Sequence, residues 1–170
     1  MTELSIAFTK GEREDAVEVR SKERGPLRFS VHKKGPTPHD FVHLVVEQEL
    51  GFARGFWGLI AAGVAPGEIQ ELAKAGGHAS AKRAQEPHEE IVELLQAERL
   101  VECFEADSWG EPADFDSFRN VFAAACAASY VDAPALPDPK IGAVRARIAE
   151  FTKKWTAAPV GARFETSYSV

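Results

Sequence analysis

The chain has 170 residues, 45% of them hydrophobic and 27% charged, which is the balance of a soluble globular fold with enough length to bury a core in one domain. Twenty basic side chains stand against 26 acidic ones, for a net charge of −6, and the excess is concentrated: residues 36–138 carry eighteen acidic and six basic groups. That stretch repels phosphate backbones and argues against nucleic acid as a partner, whereas residues 1–35 and 139–170 are mildly basic.

The chain begins with three segments of period-2 alternation. "LSIAFT" sets Leu4, Ile6 and Phe8 against Ser5, Ala7 and Thr9; "AVEVR" sets Val17 and Val19 against Glu18 and Arg20; "LRFSVH" sets Leu27, Phe29 and Val31 against Arg28, Ser30 and His32. One apolar and one polar face, with short Gly- and Pro-containing connections, predict an antiparallel meander covered on one side. "RFETSYSV" at the end of the chain repeats the pattern and is expected to join that sheet, bringing the two basic ends together against the acidic helices. The start of the chain meets charge at once and shows no leader-like apolar run. The apolar run "GFWGLIAAGVAPG" is too short and too rich in glycine to span a bilayer, so no membrane partner is expected. With two cysteines only, Cys103 and Cys126, both in apolar helical surroundings, a disulfide framework is not expected and a cytoplasmic location is.

Residues between the strands read as helices. The first runs from Thr37 to Leu50 and stops at Gly51; "GFWGLIAAG" gives a short apolar helix closed by Gly63; "APGEIQELAKAGG" starts at Pro66 and stops at Gly76 and Gly77, before a polar connection. Pro87 opens a helix whose face of Ile91, Leu94 and Leu95 does not continue past Arg99, where a bend or an end is expected. Phe115, Phe118, Phe122 and Cys126 mark the next helix, with Asp114 or Asp116 as its cap, and Ile141, Val144, Ile148, Phe151 and Trp155 mark the last. The expectation is an α+β fold, a three- or four-stranded antiparallel sheet packed on one face by about five helices.

"TPHDFVHLVVEQE" carries the chemistry. His39 and His43, four apart, share a helix face with their side chains about 5–6 Å from one another, a spacing that lets two imidazoles reach one zinc or other divalent ion. Asp40 and Glu47 are the candidate catalytic carboxylates. Glu47 lies eight residues after His39, about 12 Å of helical rise, so a third ligand is expected from another segment, with His78, His88, Glu89, Glu90 and Glu93 available. A structural reading of the same residues stands beside this one. Thr37 as N-cap and Asp40 at the third helical position would close a capping box, and Glu47 would serve as the hydrogen-bond partner of His43. Arg54 is a candidate anion ligand, with Glu47 or Glu49 as its other conceivable partner. The glycines of "GFARGFWGLIAAG" lack the preceding strand and following Lys-Ser/Thr of a phosphate cradle and fit close helix packing instead.

"HDFVH" resembles the H-E-x-x-H motif of zinc metalloproteases, which implies His39 and His43 as ligands and Asp40 as the base that activates water; aspartate is one methylene shorter than the glutamate of that motif. The His39-Asp40 doublet also resembles the adjacent pair of metal-dependent phosphohydrolases, whose other ligands have no counterpart here. "TPHDFVHLVVE" followed by "GFWGLIAAG" resembles a group of small uncharacterised bacterial proteins over residues 36 to 63, a likeness that implies no activity. Two function classes follow: a metal-dependent, hydrolase-like enzyme, and a non-catalytic module whose acidic helical face, or the pocket beside His43, binds a partner or small ligand; a protein partner or a homo-oligomer is expected on either reading.

Overall fold

The computed structural model describes residues 2–83 and 88–169; for residues 77–83 the description is of the main chain alone. Strands β1 (Glu3–Thr9), β2 (Glu14–Ser21), β3 (Leu27–His32) and β4 (Arg163–Ser169) form one antiparallel sheet in the order β3-β2-β1-β4. The C-terminal strand pairs with β1 along its length, Leu4 opposite Tyr168 and Phe8 opposite Phe164. Alternation sends Leu4, Ile6, Phe8, Val17, Val19 and Tyr168 into the core. Among the described residues the opposite face carries no helix, and it is laced by charge: Glu18 accepts from Arg28 at 2.6 Å and from Arg163 at 3.2 Å.

Six helices follow among the described residues: α1 (His39–Leu50), α2 (Phe56–Ala62), α3 (Pro66–Arg83), α4 (Glu89–Asp107), α5 (Phe115–Ala128) and α6 (Asp138–Ala157). They form two tiers. α1 and α6 lie toward the sheet, where Phe8 meets Phe41, Trp57 and Phe151 edge-on at centroid distances of 5.8 to 6.3 Å. α4 packs on the other side of α1, flanked by α3 and α5. Every residue from Asp40 to Glu47 is therefore buried, with apolar neighbours on both sides of α1. No helix is long and apolar enough to cross a membrane among the described residues.

Several expectations about helix limits are corrected. α1 begins at His39 with Pro38 at the cap and no side-chain capping bond, so the Thr37–Asp40 capping box does not form; Thr37 Oγ1 meets the hydroxyl of Thr152 on α6. α3 continues past Gly76 and Gly77 into the expected polar connection, as far as Arg83. At Gly76 a β-carbon would run into the side chain of Ile91, so glycine there lets α3 and α4 approach and does not end the helix. α4 does not end near Arg99 but runs unbroken to Asp107. Leu94, Leu95 and Ala97, then Leu100, Val101, Cys103 and Phe104, are all buried, because α1, α3 and α5 touch it on different sides. Pro87 and Val170 lie outside the described residues.

The remaining limits follow local chemistry. Asp114 caps α5, accepting from the Ser117 N–H at 2.9 Å. The Lys10 ammonium donates to the carbonyls of Trp155 and Ala158 at the end of α6, at 2.9 and 2.7 Å, where a cation meets the negative end of the helix. Basic residues of α6 reach the acidic middle of the chain, Arg147 to Glu49 at 2.9 Å and Arg145 to Asp107 at 2.7 Å.

Candidate metal centre

α1 and α4 run side by side, and their facing residues build the site. His39 and His43 sit one turn apart on α1 with ring centroids 4.8 Å apart. α4 contributes Glu98 and Glu105, two turns apart. Each imidazole is held through Nδ1 by its own carboxylate: His39 Nδ1 lies 2.6 Å from Glu105 Oε1 and His43 Nδ1 lies 3.1 Å from Glu47 Oε1. A carboxylate that accepts from Nδ1–H leaves Nε2 to face the other way, as a donor to Glu98 in the charged ring and as a lone pair in the neutral one. Both Nε2 atoms turn to a third carboxylate, His43 Nε2 at 3.4 Å and His39 Nε2 at 4.0 Å from Glu98.

His39, His43 and Glu98 thus offer three ligand atoms within 4.8 Å of one another. Bonds of about 2.0–2.2 Å in a tetrahedral shell place ligand atoms about 3.4 Å apart. The His43–Glu98 edge already has that length, and His39 would close in by roughly an ångström to complete the triangle. His43 is 1% exposed at its side chain, whereas His39 and Glu98 are 19% and 20% exposed, so the site opens to solvent on one side only.

Glu47 is the most enclosed member, its side chain wholly inaccessible. Burial pushes its carboxyl above the ordinary value, an effect opposed by His43 and by the N–H groups of Trp57 and Gly58 at the start of α2. The Trp57 N–H donates to Glu47 Oε2 at 2.9 Å. Gly55 makes room for this arrangement, because a β-carbon there would fall within 2.7 Å of both Glu47 carboxylate oxygens. At the other end of α2 the Arg24 guanidinium donates to the carbonyls of Ile60 and Ala61, at 3.2 and 2.8 Å. The helix is pinned at both ends, and its first turn serves as the seat of Glu47.

The electrostatics are those of a linked cluster. For His43 burial works against the charged ring but is outweighed by Glu98 and Glu47, and the group is raised to about 10. For Glu98 burial is outweighed by His43 and His39, which bring the carboxyl down to about 2. Asp40 is 7% exposed; burial raises its carboxyl, while His43 and His39 pull it down. Its backbone carbonyl accepts from Trp57 Nε1 at 2.8 Å.

The expected ligand pair His39 and His43 is thus brought together, with Asp40 between them in sequence and Glu47 behind His43. The third carboxylate is Glu98, outside the residues expected from sequence. His88 caps α4 at the exposed surface, accepting from Glu90 N–H at 3.4 Å, and Glu93 accepts from the backbone N–H of Arg54. The side chain of His78 lies outside the described residues. Arg54 is exposed and pairs with neither Glu47 nor Glu49; its guanidinium reaches the carbonyl of Glu90 at 3.4 Å, about two turns along α4 from Glu98. Glu98 and Glu105 carry one signal in the sequence, acids spaced by seven at the point where the apolar face of α4 lapses. Cys103 and Cys126 are buried, and burial pushes their thiols up to about 11 and about 12, so neither is a ready nucleophile.

Comparison of the chain with protein-family models, with curated proteins and with solved structures gives no match.

Proposed function

We propose that this protein binds a divalent metal ion through Nε2 of His39, Nε2 of His43 and a carboxylate oxygen of Glu98, and uses it in a hydrolytic reaction. One observation carries the reading: two imidazoles are each fixed at Nδ1 by a separate carboxylate, Glu105 and Glu47, while both Nε2 atoms face the same third carboxylate. Ligating histidines with carboxylate partners on the far nitrogen are the usual outer shell of a metal site. Two nitrogens and one oxygen suit zinc and also iron(II) or manganese, and three protein ligands leave positions for water and substrate.

A bound ion of this kind lowers the pKa of a coordinated water and polarises a carbonyl or phosphoryl oxygen. The rest falls to the chain. Glu105 and Glu47 hold each ring through Nδ1, so that Nε2 would be the nitrogen to give up its proton to a bound ion, and they are positioning residues. Asp40, buried beside both histidines, is the group to accept a proton from an attacking water. Glu47, sealed behind His43, has no route to substrate. Burial of His43 on one side and the opening at His39 and Glu98 direct reactants to one face of the site.

A second reading has its own support, since the two imidazoles and three carboxylates satisfy one another as an ionic staple between α1 and α4. Metal analysis separates the two. On the metal reading, purified protein loaded with zinc, iron(II) or manganese holds one ion per chain, and His39→Ala, His43→Ala and Glu98→Ala each lose it. Absence of stoichiometric metal at every loading, or retention of the ion in those variants, refutes the metal site and leaves the staple.

A further inference from the structure

A trough lies between the end of α4, the segment that leads into α1, and α6. Two cavities share its floor, a small one of about 40 Å³ and a larger one of about 480 Å³. Thr37, Phe104, Ser108 and Ile148 line both, so the two adjoin. Phe104 and Ile148 give an apolar base. Glu105, the carboxylate that holds His39, stands in the wall of the small cavity. The larger volume falls in the range of about 300–1,000 Å³ usual for small-molecule sites.

The charges of the trough do not cancel. Asp107 is neutralised by Arg145 at 2.7 Å and Glu105 is engaged by His39 at 2.6 Å. Lys34 in the wall of the small cavity and Lys153 in that of the large one have no carboxylate partner within ion-pair distance among the described residues. Two ammonium groups are thereby left over in a chain whose middle is strongly acidic. Trp109 borders the small cavity at 69% exposure, a large aromatic surface left to solvent at the mouth of an apolar trough.

We infer that this trough binds a small amphipathic anion, an apolar chain or ring carrying a carboxylate or phosphate group. Its apolar part lies on Phe104 and Ile148 and its charge meets Lys34 or Lys153. As the substrate cleft of the metal centre the inference rests on the proposed function, through the shared residue Glu105; as a binding site it stands on the trough alone.

The test is a titration of the full chain with octanoate and octyl phosphate, with 1-octanol as the uncharged control, read by tryptophan emission. Trp57 and Trp155 are buried, so the exposed Trp109 reports the trough, and Trp109→Phe confirms the origin of the signal. The expected result is a saturable blue shift with either anion. Octanol binds at least roughly tenfold more weakly, and a Lys34→Glu/Lys153→Glu variant weakens the anions by roughly tenfold or more. Ala149→Phe, at an exposed position lining the large cavity, blocks binding by filling it without adding a second exposed indole. No saturable shift, equal affinity for octanol and the anions, or anion affinity untouched by the charge-reversed and filled variants overturns the inference. Metal content measured on the same samples keeps the two readings apart: anion binding without metal removes only the metal centre, and metal without anion binding removes only the trough.

Discussion

Replacing Glu47 by alanine tests the innermost part of the site. The carboxylate is inaccessible, accepts from His43 and from the Trp57 N–H, and is seated at the start of α2. Its removal leaves a buried imidazole without its partner and a backbone N–H facing a void. Breaking a buried pair at one end costs about 3–5 kcal/mol. Set against a total stability of about 5–15 kcal/mol, that is a large fraction. At about 2–4 °C per kcal/mol for a chain of this size, Tm falls by roughly 6–20 °C. Gly55→Ala is the partner experiment. Its methyl would lie within 2.7 Å of both carboxylate oxygens, an overpacking worth about 1–3 kcal/mol. In the double variant the methyl enters the space Glu47 has left, so the two costs combine to less than their sum by about 1 kcal/mol or more. Urea unfolding followed by tryptophan fluorescence gives the four stabilities of the cycle. A cost below about 1 kcal/mol for Glu47→Ala, or strict additivity with Gly55→Ala, would refute the account of Glu47 as the seat of His43.

Other predictions bear on neighbouring features. Glu105→Ala retains all three proposed ligands but frees the His39 ring, so zinc affinity falls by about 10–100-fold in competition with a chromophoric chelator while Glu98→Ala abolishes stoichiometric binding. On the open face of the sheet, Arg28 in the first place, then Arg163 and Arg20, bring Glu18 from its ordinary 4.5 down to about 2 against a contrary effect of burial. A depressed folded pKa means stability present above 4.5 that is lost as pH falls from there through 2. Glu18→Gln should therefore flatten the stability curve across that window in acid titrations at low salt, and added salt should shrink the difference. Tyr168→Phe leaves the Phe52 carbonyl without the hydroxyl that reaches it at 2.7 Å and should cost about 1–2 kcal/mol in urea unfolding with little effect on metal content.

Which parts of this arrangement could be read from residues alone follows from where the signals are local. Strand alternation was legible because one face of the sheet meets water, so Ser5, Glu18 and Arg28 are polar where Leu4, Val17 and Phe29 are not. The α6 seam was legible because one side of that helix packs and the other does not. The histidine pair was legible because i, i+4 spacing is a property of a single helix. Glu98 and Glu105 offer only their spacing of seven, and nothing local ties them to His39 and His43, because the pairing of α1 with α4 is set by packing across 50 residues or more. The partnership of Glu47 with His43 was legible from the same i, i+4 spacing, but a helical wheel cannot show the first turn of α2 closing over the carboxylate. Helix limits misled where glycine and threonine serve tertiary purposes, Gly76 as a crossing point and Thr37 as a contact to α6.

The position of β4 in the sheet has a consequence for synthesis. The partner of β1 on one side is 166 positions further along the chain at the Glu3–Ser169 pair, so β1 leaves the ribosome long before that partner exists. Until Arg163–Ser169 emerges, β1 is an open edge beside the aromatic ring of Phe8, a template for pairing with another nascent chain. α1 and α4 have by then both been made, so the histidine-carboxylate ladder can assemble while the sheet is still one strand short. The last seven-residue strand acts as a late-arriving seal, and a chain stalled or clipped before it would aggregate through an edge that the finished fold never displays.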